Sequence, residues 1–408
     1  MRVATMRKID RWLGVPACAA LTLARRLFDP ARPDEIARPG RILFVKLAEQ
    51  GSSVLASQAI RRAIAKVGPG NVYVLVFEEN RHILNAMALI PEANIVTIPA
   101  TTMRAVCAGT IRAIRRLRQA EIDTAIDLEF FARSSAALAY LSGARWRVGF
   151  HPFGGEAAYR GDLLTHRLSF NSRLHTTQTF DMLVAALDQP PAMLPALDFD
   201  ARTDEHAFPR FVSTGDDEQR IRQLIAEAGG GGRPLILLNA NASDLLPLRR
   251  WPTERYVDLA RRLVAQYAEA TVVFTGAPDE SAVAERLAKD VGSLRCISLA
   301  GRTTIRQLLT LYTLADILVT NDSGPAHFAT LTTIDVVTLF GPETPQLFAA
   351  PTPRNHVLWA GIACSPCVNA FNDRQSSCTN NICMQHITVD QVFDQVCRVY
   401  QARPVRSG

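Results

Sequence analysis

The chain has 408 residues, 48% hydrophobic and 21% charged, with 45 Lys and Arg against 39 Asp and Glu for a net charge of +6. That balance excludes a mainly disordered chain, the length calls for two large domains or three small ones at about 150 residues each, and eight Cys are too few for a disulfide scaffold. Residues 1–26 hold six basic groups and one acid, Asp10, so the pI near 9.0 describes a basic N-terminal segment on a nearly neutral body and not a nucleic-acid groove.

The longest apolar stretch, Trp12 to Ala24, has 13 residues, short of the roughly 20 that a spanning helix needs. A secretory signal fails because only Trp12 to Pro16 precede Ala17-Cys18-Ala19, and a lipoprotein signal at Cys18 fails for the same reason. The segment instead predicts a helix starting near Pro16, a residue suited to a first helical turn. Across residues 8–28, Trp12, Leu13, Leu21, Leu23, Leu27 and Phe28 form an apolar side. That side either rests on a bilayer, with Arg25 and Arg26 reaching anionic lipid, or docks on the protein's own surface.

From Arg41 onward strands and helices alternate. Strands are predicted at Arg41–Ala48, Asn71–Phe77, Asn94–Pro99 and Asp123–Leu128, with helices at Val54–Val67, Glu79–Leu89, Met103–Arg118 and Ser134–Leu141. The Arg112, Arg115, Arg116 and Arg118 cluster on the third of these helices reads as a solvated face or as a surface for anionic lipid or glycan. Phe150 to Phe208 is irregular and rich in Gly, Pro and His. A second series then places strands at Pro234–Asn239, Ala270–Gly276, Cys296–Leu299, Ile317–Asn321 and Val336–Phe340. Its helices are Thr253–Tyr267, Ser281–Val291, Thr304–Ala315, Ala326–Thr332 and Thr388–Tyr400. Short apolar runs between amphipathic helices mean parallel sheets covered on both faces. The fold class is α/β: two doubly wound Rossmann-like domains facing across a cleft, preceded by an amphipathic segment. The expected divisions are 1–40, 41–210, 211–385 and 386–408, the last a helix crossing back to the first domain.

The strongest constellation is Ile317 to Leu331, ILVTNDSGPAHFATL. A buried strand runs into Asp322 and Ser323, then into a helix carrying His327. Free N–H groups of Ser323, Gly324 and Ala326 at the helix start suit a diphosphate. Gly324 lets a ligand approach closely. The competing reading makes Asp322 an ordinary helix cap.

This stretch, with VVTLFGPETP at Val336 to Pro345, closely resembles glycosyltransferase family 9, the heptosyltransferase-like family with the two-domain GT-B fold. Arg41 to Ala63, Ile122 to Ala139 and Arg249 to Leu263 resemble further family elements, so the similarity spans about residues 41–395. The resemblance implies inverting transfer of a sugar, often heptose from ADP-heptose, from a nucleotide-diphosphate donor to a glycan or lipid-linked acceptor such as a lipopolysaccharide core. It implies a cytoplasmic setting peripheral to the inner membrane; residues 8–28, outside the resemblance, are expected on the membrane surface from their own basic and apolar pattern, and the charge distribution points to no nucleic-acid partner.

Mapped onto this chain, the resemblance gives Asp322 the donor sugar hydroxyls, and Ser323, Gly324 and His327 the diphosphate. Arg249 or Arg250 would hold phosphate oxygens, for which the planar guanidinium fork is well shaped. Phe340, Gly341 and Pro342 would line the base pocket, and Glu280 would either reach the ribose or start a surface helix. The family usually has Asp after the glycine of the first strand-helix turn. Here Gly51 is followed by Ser52, which is no base near neutral pH. Glu49 is the leading replacement and Glu129 the second candidate, while Ser52 and Ser53 cap the helix or contact acceptor or phosphate. Asp127, inside a strand, reads as structural.

The diphosphate can be stabilised by the helix start and the arginines, so no cofactor is required. Asp198-Phe199-Asp200 imitates the metal-binding Asp-x-Asp of another glycosyltransferase fold and is not expected to hold metal. Cys364, Cys367, Cys378 and Cys383 have a spacing compatible with structural zinc, two disulfides or four thiols. His151 and His175 are expected in loops facing the acceptor. Two rival readings stay open: a catalytically silent sugar-nucleotide or glycan-binding protein, motivated by Ser52, and a sugar-nucleotide epimerase on the same fold.

Overall fold

The computed structural model describes residues 3–29, 34–153, 158–196, 208–242, 246–372 and 374–403. The chain divides into two units, one of residues 1–209 and 369–374, the other of residues 210–368 and 375–408.

The first unit opens with helix α1 (Val3–Phe28), then β1 (Ile42–Val45), α2 (Gln50–Leu55), α3 (Ser57–Val67) and β2 (Val72–Phe77). It continues with α4 (Arg81–Met87), β3 (Ile95–Ile98), α5 (Met103–Gln119), β4 (Thr124–Asp127) and α6 (Arg133–Leu141). It closes with β5 (Trp146–Phe150), β6 (His166–Leu168) and α7 (Thr176–Ala185). The strands form one parallel sheet in the order β3-β2-β1-β4-β5-β6. Its core gathers Leu43, Val45, Leu75, Val96 and Ala125 from the strands with Ala113, Leu117 and Leu138 from the helices.

The second unit holds α8 (Gly215–Glu227), β7 (Leu235–Asn239), α9 (Thr253–Gln266), β8 (Thr271–Phe274), α10 (Ser281–Val291), β9 (Cys296–Ser298) and α11 (Ile305–Leu314). Then come β10 (Ile317–Asn321), α12 (Gly324–Ala329), β11 (Asp335–Phe340), α13 (Pro345–Phe348), β12 (Asn355–Trp359), α14 (Ile382–Gln385) and α15 (Val389–Gln401). The parallel order β12-β11-β10-β7-β8-β9 repeats that of the first sheet. In both sheets the chain reverses direction between the first and fourth strands, β1 with β4 and β7 with β10. Ligands of doubly wound sheets bind beyond the carboxyl ends at that reversal. Helices α8, α11 and α15 each start with a capping box, Thr214 with Asp217, Thr304 with Gln307 and Thr388 with Gln391.

Several expectations are corrected. Helix α1 starts at Val3, with Pro16 inside it and not at its first turn. Strands β5, β6 and β12 and helices α7 and α8 were absent from the sequence reading. Val392, Val396 and Val399 join the core of the second unit, and Arg403 holds Asp335 at 2.6 Å.

Candidate active site

In the second unit the five residues of β10 are all buried, and Asp322 extends the ladder by donating its N–H to Leu339 O at 2.9 Å. Asn321 ties this strand end to its neighbours. Its Oδ1 accepts from the Trp251 N–H at 3.0 Å and from the Tyr256 hydroxyl at 3.2 Å. Its Nδ2 donates to Asn241 O at 3.1 Å. Trp251, fully buried, donates its indole N–H to Ile387 O at 2.8 Å. These bonds fix the segment before α9 and deliver Arg249 to the end of β10.

Arg249 lies with Nε 3.5 Å from Asp322 Oδ2, Nη1 donating to Asp322 O at 3.2 Å, and Nη2 3.0 Å from Glu343 Oε1. The Arg249 side chain is 14% exposed, that of Asp322 4% and that of Glu343 1%. One guanidinium is thus held between two buried carboxylates. Burying charge is tolerable only when it is paired and hydrogen-bonded in this way. Glu343 was missed by sequence reasoning. Its signal was an acid directly after Phe340-Gly341-Pro342, in text otherwise read as a base pocket.

The geometry decides among other expectations. Asp322 is not a cap: Ser323 occupies the N-cap position of α12, with no side-chain cap bond. Helix α12 has only six residues, and the Ala326 N–H already donates to Ser323 O at 3.1 Å, so the expected trio of free N–H groups is reduced. His327 is buried in the middle of this helix. A side chain at Gly324 would press on the Phe328 ring at 3.2 Å. Arg250 turns away from Asp322, its Nε and Nη2 donating to Ala242 O at 3.2 and 2.9 Å. Glu280 Oε2 accepts from the Ala277 N–H at 2.7 Å, and burial raises its carboxyl above the ordinary value. It is built into the turn before α10. Phe340 is buried at the end of β11, and a Cβ on Gly341 would collide with Met384 and Cys383. Pro342 O accepts from the N–H groups of Cys367 and Val368.

In the first unit, Lys46 follows β1 and donates from Nζ to Glu129 Oε1 at 3.0 Å and to Ala48 O at 2.7 Å. Glu129 Oε1 also accepts from the Ala48 N–H at 3.2 Å. This acid therefore ties the turn after β1 to the end of β4. Glu49, not Ser52 or Ser53, is the N-cap residue of α2, with φ 68°. Ser52 donates its hydroxyl back to Glu49 O at 2.9 Å and to Glu49 Oε2 at 3.3 Å. Gly51, Ser52 and Ser53 are buried. The Glu49 carboxylate forms an ion pair with Arg374, whose segment, residues 369–374, belongs to this unit. The same segment places Phe371 against Phe131 and Phe170, with ring centroids 5.7 and 5.5 Å apart. Sequence reasoning missed Arg374, which lies 325 positions from Glu49.

Asp127 is fully buried, paired with Arg160, accepting from Ser135 Oγ at 2.8 Å, and burial pushes its carboxyl up to about 6. His175 caps α7, its Nδ1 accepting from the Thr177 N–H at 3.2 Å. Burial, reinforced by Arg167 and Arg160, lowers His151 to about 4. It is neutral near pH 7 and brings no positive charge to an acceptor phosphate.

Of the three readings of the cysteine cluster, the structure holds free thiols. Among the described residues no three His, Cys, Asp or Glu side chains come together as a metal site, and all eight Cys are free thiols. Cys383 is buried while Cys364 and Cys378 are exposed; Cys378 Sγ donates to Asn380 O at 3.1 Å. Asp198 and Asp200 lie outside the described residues.

Two Rossmann-like units, each with an acid and a basic partner beyond its central strands, are what a sugar-nucleotide transferase fold provides. The profile of glycosyltransferase family 9 (heptosyltransferase) matches residues 110–376, and the chain belongs to that family. It is similar to lipopolysaccharide heptosyltransferase 2 of Escherichia coli strain K12, with 36% identity over 137 residues, 33% of this chain and 38% of that protein. The stretches matched in such curated relatives span about a third of their length. Among solved structures, E. coli ADP-heptose lps heptosyltransferase II has a TM-score of 0.65 at 19% identity, covering 88% of this chain and 98% of that one. E. coli heptosyltransferase WaaC with ADP-2-deoxy-2-fluoro heptose has a TM-score of 0.58 at 16% identity, covering 88% and 99%. These structural likenesses establish the fold, the GT-B type.

Proposed function

We propose that the protein is an inverting glycosyltransferase that moves heptose from ADP-heptose to a lipopolysaccharide-core acceptor, working in the cytoplasm at the inner membrane. Family membership supports the class of reaction, and a solved relative described with an ADP-heptose analogue supports the donor. The observation that carries the reading is the buried Arg249 between Asp322 and Glu343 at the end of β10. Arg249 meets the diphosphate, Asp322 the sugar hydroxyls, and Ser323 and His327 flank them. Glu343 positions Arg249.

The reaction is one displacement. The acceptor hydroxyl oxygen bonds to the anomeric carbon as the bond from that carbon to the diphosphate breaks. ADP leaves with the electron pair, and Glu49 takes the hydroxyl proton. Glu49 suits this role better than Glu129 because its side chain is the more exposed, 25% against 17%, and its ion pair is with Arg374, 12% exposed, whereas Glu129 bridges the buried Lys46 and the Ala48 N–H. Charge on the leaving ADP is met by a guanidinium, so transfer needs no metal and withstands EDTA.

Thermal unfolding with ADP, GDP, UDP and CMP tests the donor. A ligand at about 100 times its Kd adds roughly 2.7 kcal/mol of stability, which raises Tm by several degrees. A shift with ADP alone is expected, followed by transfer from ADP-heptose. No shift with any of the four overturns the donor site.

A further inference from the structure

Helix α1 has two faces with different tasks. Its inner face is built against α6 and the loop before β6. Asp10 accepts from the N–H groups of Arg133 and Ser134 at 3.1 and 2.7 Å, capping the start of α6. A Cβ on Gly14 would sit 2.7 Å from Arg133, so the helices approach closely there. Cys18 is fully buried, and Thr22 Oγ1 accepts from the Asp162 N–H at 2.8 Å. Arg25 turns inward to Asp162 at 2.6 Å. These residues recur every three or four positions and define one stripe.

The opposite stripe is apolar and open. Trp12 is 76% exposed, Leu23 60% and Leu27 66%, with Leu13 and Phe28 beside them. Two exposed cations, Lys8 and Arg11, lie on the same helix, and Arg26, also exposed, has its Nε 3.8 Å from Asp162. The only acid in the helix, Asp10, faces inward. Asp29 lies just past the helix, 3.9 Å from Arg147. The outward face therefore joins large apolar side chains to charge of one sign, which complements an anionic surface with an apolar interior. No described helix is long and apolar enough to cross a membrane.

We infer that the outer face of α1 docks on an anionic phospholipid bilayer, and that its inner face holds the start of α6, and with it the Glu129 turn, beside that surface. The consequence for a lipid-borne acceptor rests on the proposed function; the docking itself does not.

The test is co-sedimentation of the full chain with vesicles of phosphatidylcholine containing about 30% phosphatidylglycerol, against phosphatidylcholine alone. The comparison variant is L23E/L27E, and a charge variant is K8Q/R11Q. Wild type is expected to sediment with anionic vesicles and to be released by salt. L23E/L27E is expected to stay in solution with unchanged Tm and unchanged transfer to a deacylated, water-soluble acceptor. K8Q/R11Q is expected to bind roughly fivefold more weakly for each cation removed. Equal binding by L23E/L27E and wild type, or no vesicle binding by wild type, overturns the inference. So does a dimer in solution that L23E/L27E converts to monomer without vesicle binding, since a second copy would then own the face. Vesicle binding uses neither donor nor acceptor. If it is seen without any sugar transfer, the function fails while the docking surface stands.

Discussion

The turn after β1 and the turn after β10 both lie where the strand order reverses in two sheets of the same order, the one after the first strand of its sheet and the other after the fourth. Each pairs an acid with an arginine distant in sequence, Glu49 with Arg374 and Asp322 with Arg249. They differ in how the acid is held. Asp322 is set by packing: its strand, Asn321 and Trp251 leave it one position, and Glu343 completes a buried triad. Glu49 is set by a left-handed backbone and one ion pair on a side chain that is 25% exposed. Buried, over-determined polar groups bind with fixed geometry, while a partly exposed acid on a strained turn retains freedom to exchange partners. That contrast fits a diphosphate held rigidly and a proton taken from an incoming hydroxyl.

The largest effect is expected from removing the cation of the buried triad. Arg249→Leu leaves Asp322 and Glu343 facing each other without a partner, and breaking a buried pair costs about 3–5 kcal/mol. Urea unfolding measures that loss, and the ADP-induced rise in Tm should vanish with it. Glu343→Gln should cost less and keep part of the ADP response, because Arg249 retains Asp322. Loss of the ADP response with unchanged stability would mean that the triad is not structurally buried as a unit.

At the first turn the expected loss is in rate. Glu49→Gln should lower transfer by about 10² to 10⁴, the usual contribution of a general base, with the ADP response intact. Glu129→Gln should act chiefly on stability, since it strips the partner from Lys46, whose side chain is 4% exposed. If the rate loss follows Glu129 instead, the roles of the two acids are exchanged and the contrast between the turns fails.

A pH effect in the first unit comes from His151. Its folded value, about 4, lies below the ordinary 6.5, so the unfolded chain takes the proton first as pH falls. The stability tied to neutral His151 is complete above pH 6.5 and is lost between 6.5 and 4. Replacing it with Asn should flatten the fall in Tm over that window. An equal fall in the variant would assign the acid sensitivity elsewhere.

Much of this architecture is legible because strand ends and the residues beyond them are adjacent in sequence. Ile317 to His327 carries a buried strand, an acid and a short helix in one run, so fold and site appear together. The unread parts have physical reasons. Strand β5 contains Arg147, a buried charge satisfied by Leu163 O at 2.6 Å, which breaks the apolar signature. In β6 two of three residues are His and Arg, and β12 is a half-exposed edge. Glu343 and Arg374 were unreadable as site residues because their pairing depends on chain segments 94 and 325 positions away, which no local pattern encodes.

The smallest effect isolates the backbone. Glu49 has φ 68°, where a side chain costs of order 1 kcal/mol and glycine almost nothing. Ser323, the N-cap residue of α12, is extended at φ −157° and carries no such strain. Glu49→Gly and Glu49→Ala both lose the ion pair with Arg374, so their difference reports conformation alone. Glycine should be the more stable by about 1 kcal/mol at position 49. At 323, Gly and Ala should instead differ in the sense of the cap preference, where glycine gains only because alanine caps poorly. Denaturant unfolding of the four variants at neutral pH gives both differences. Alanine equal to glycine at 49 would show that the turn relaxes when Arg374 lets go, and that the ion pair imposes the left-handed backbone and not the reverse.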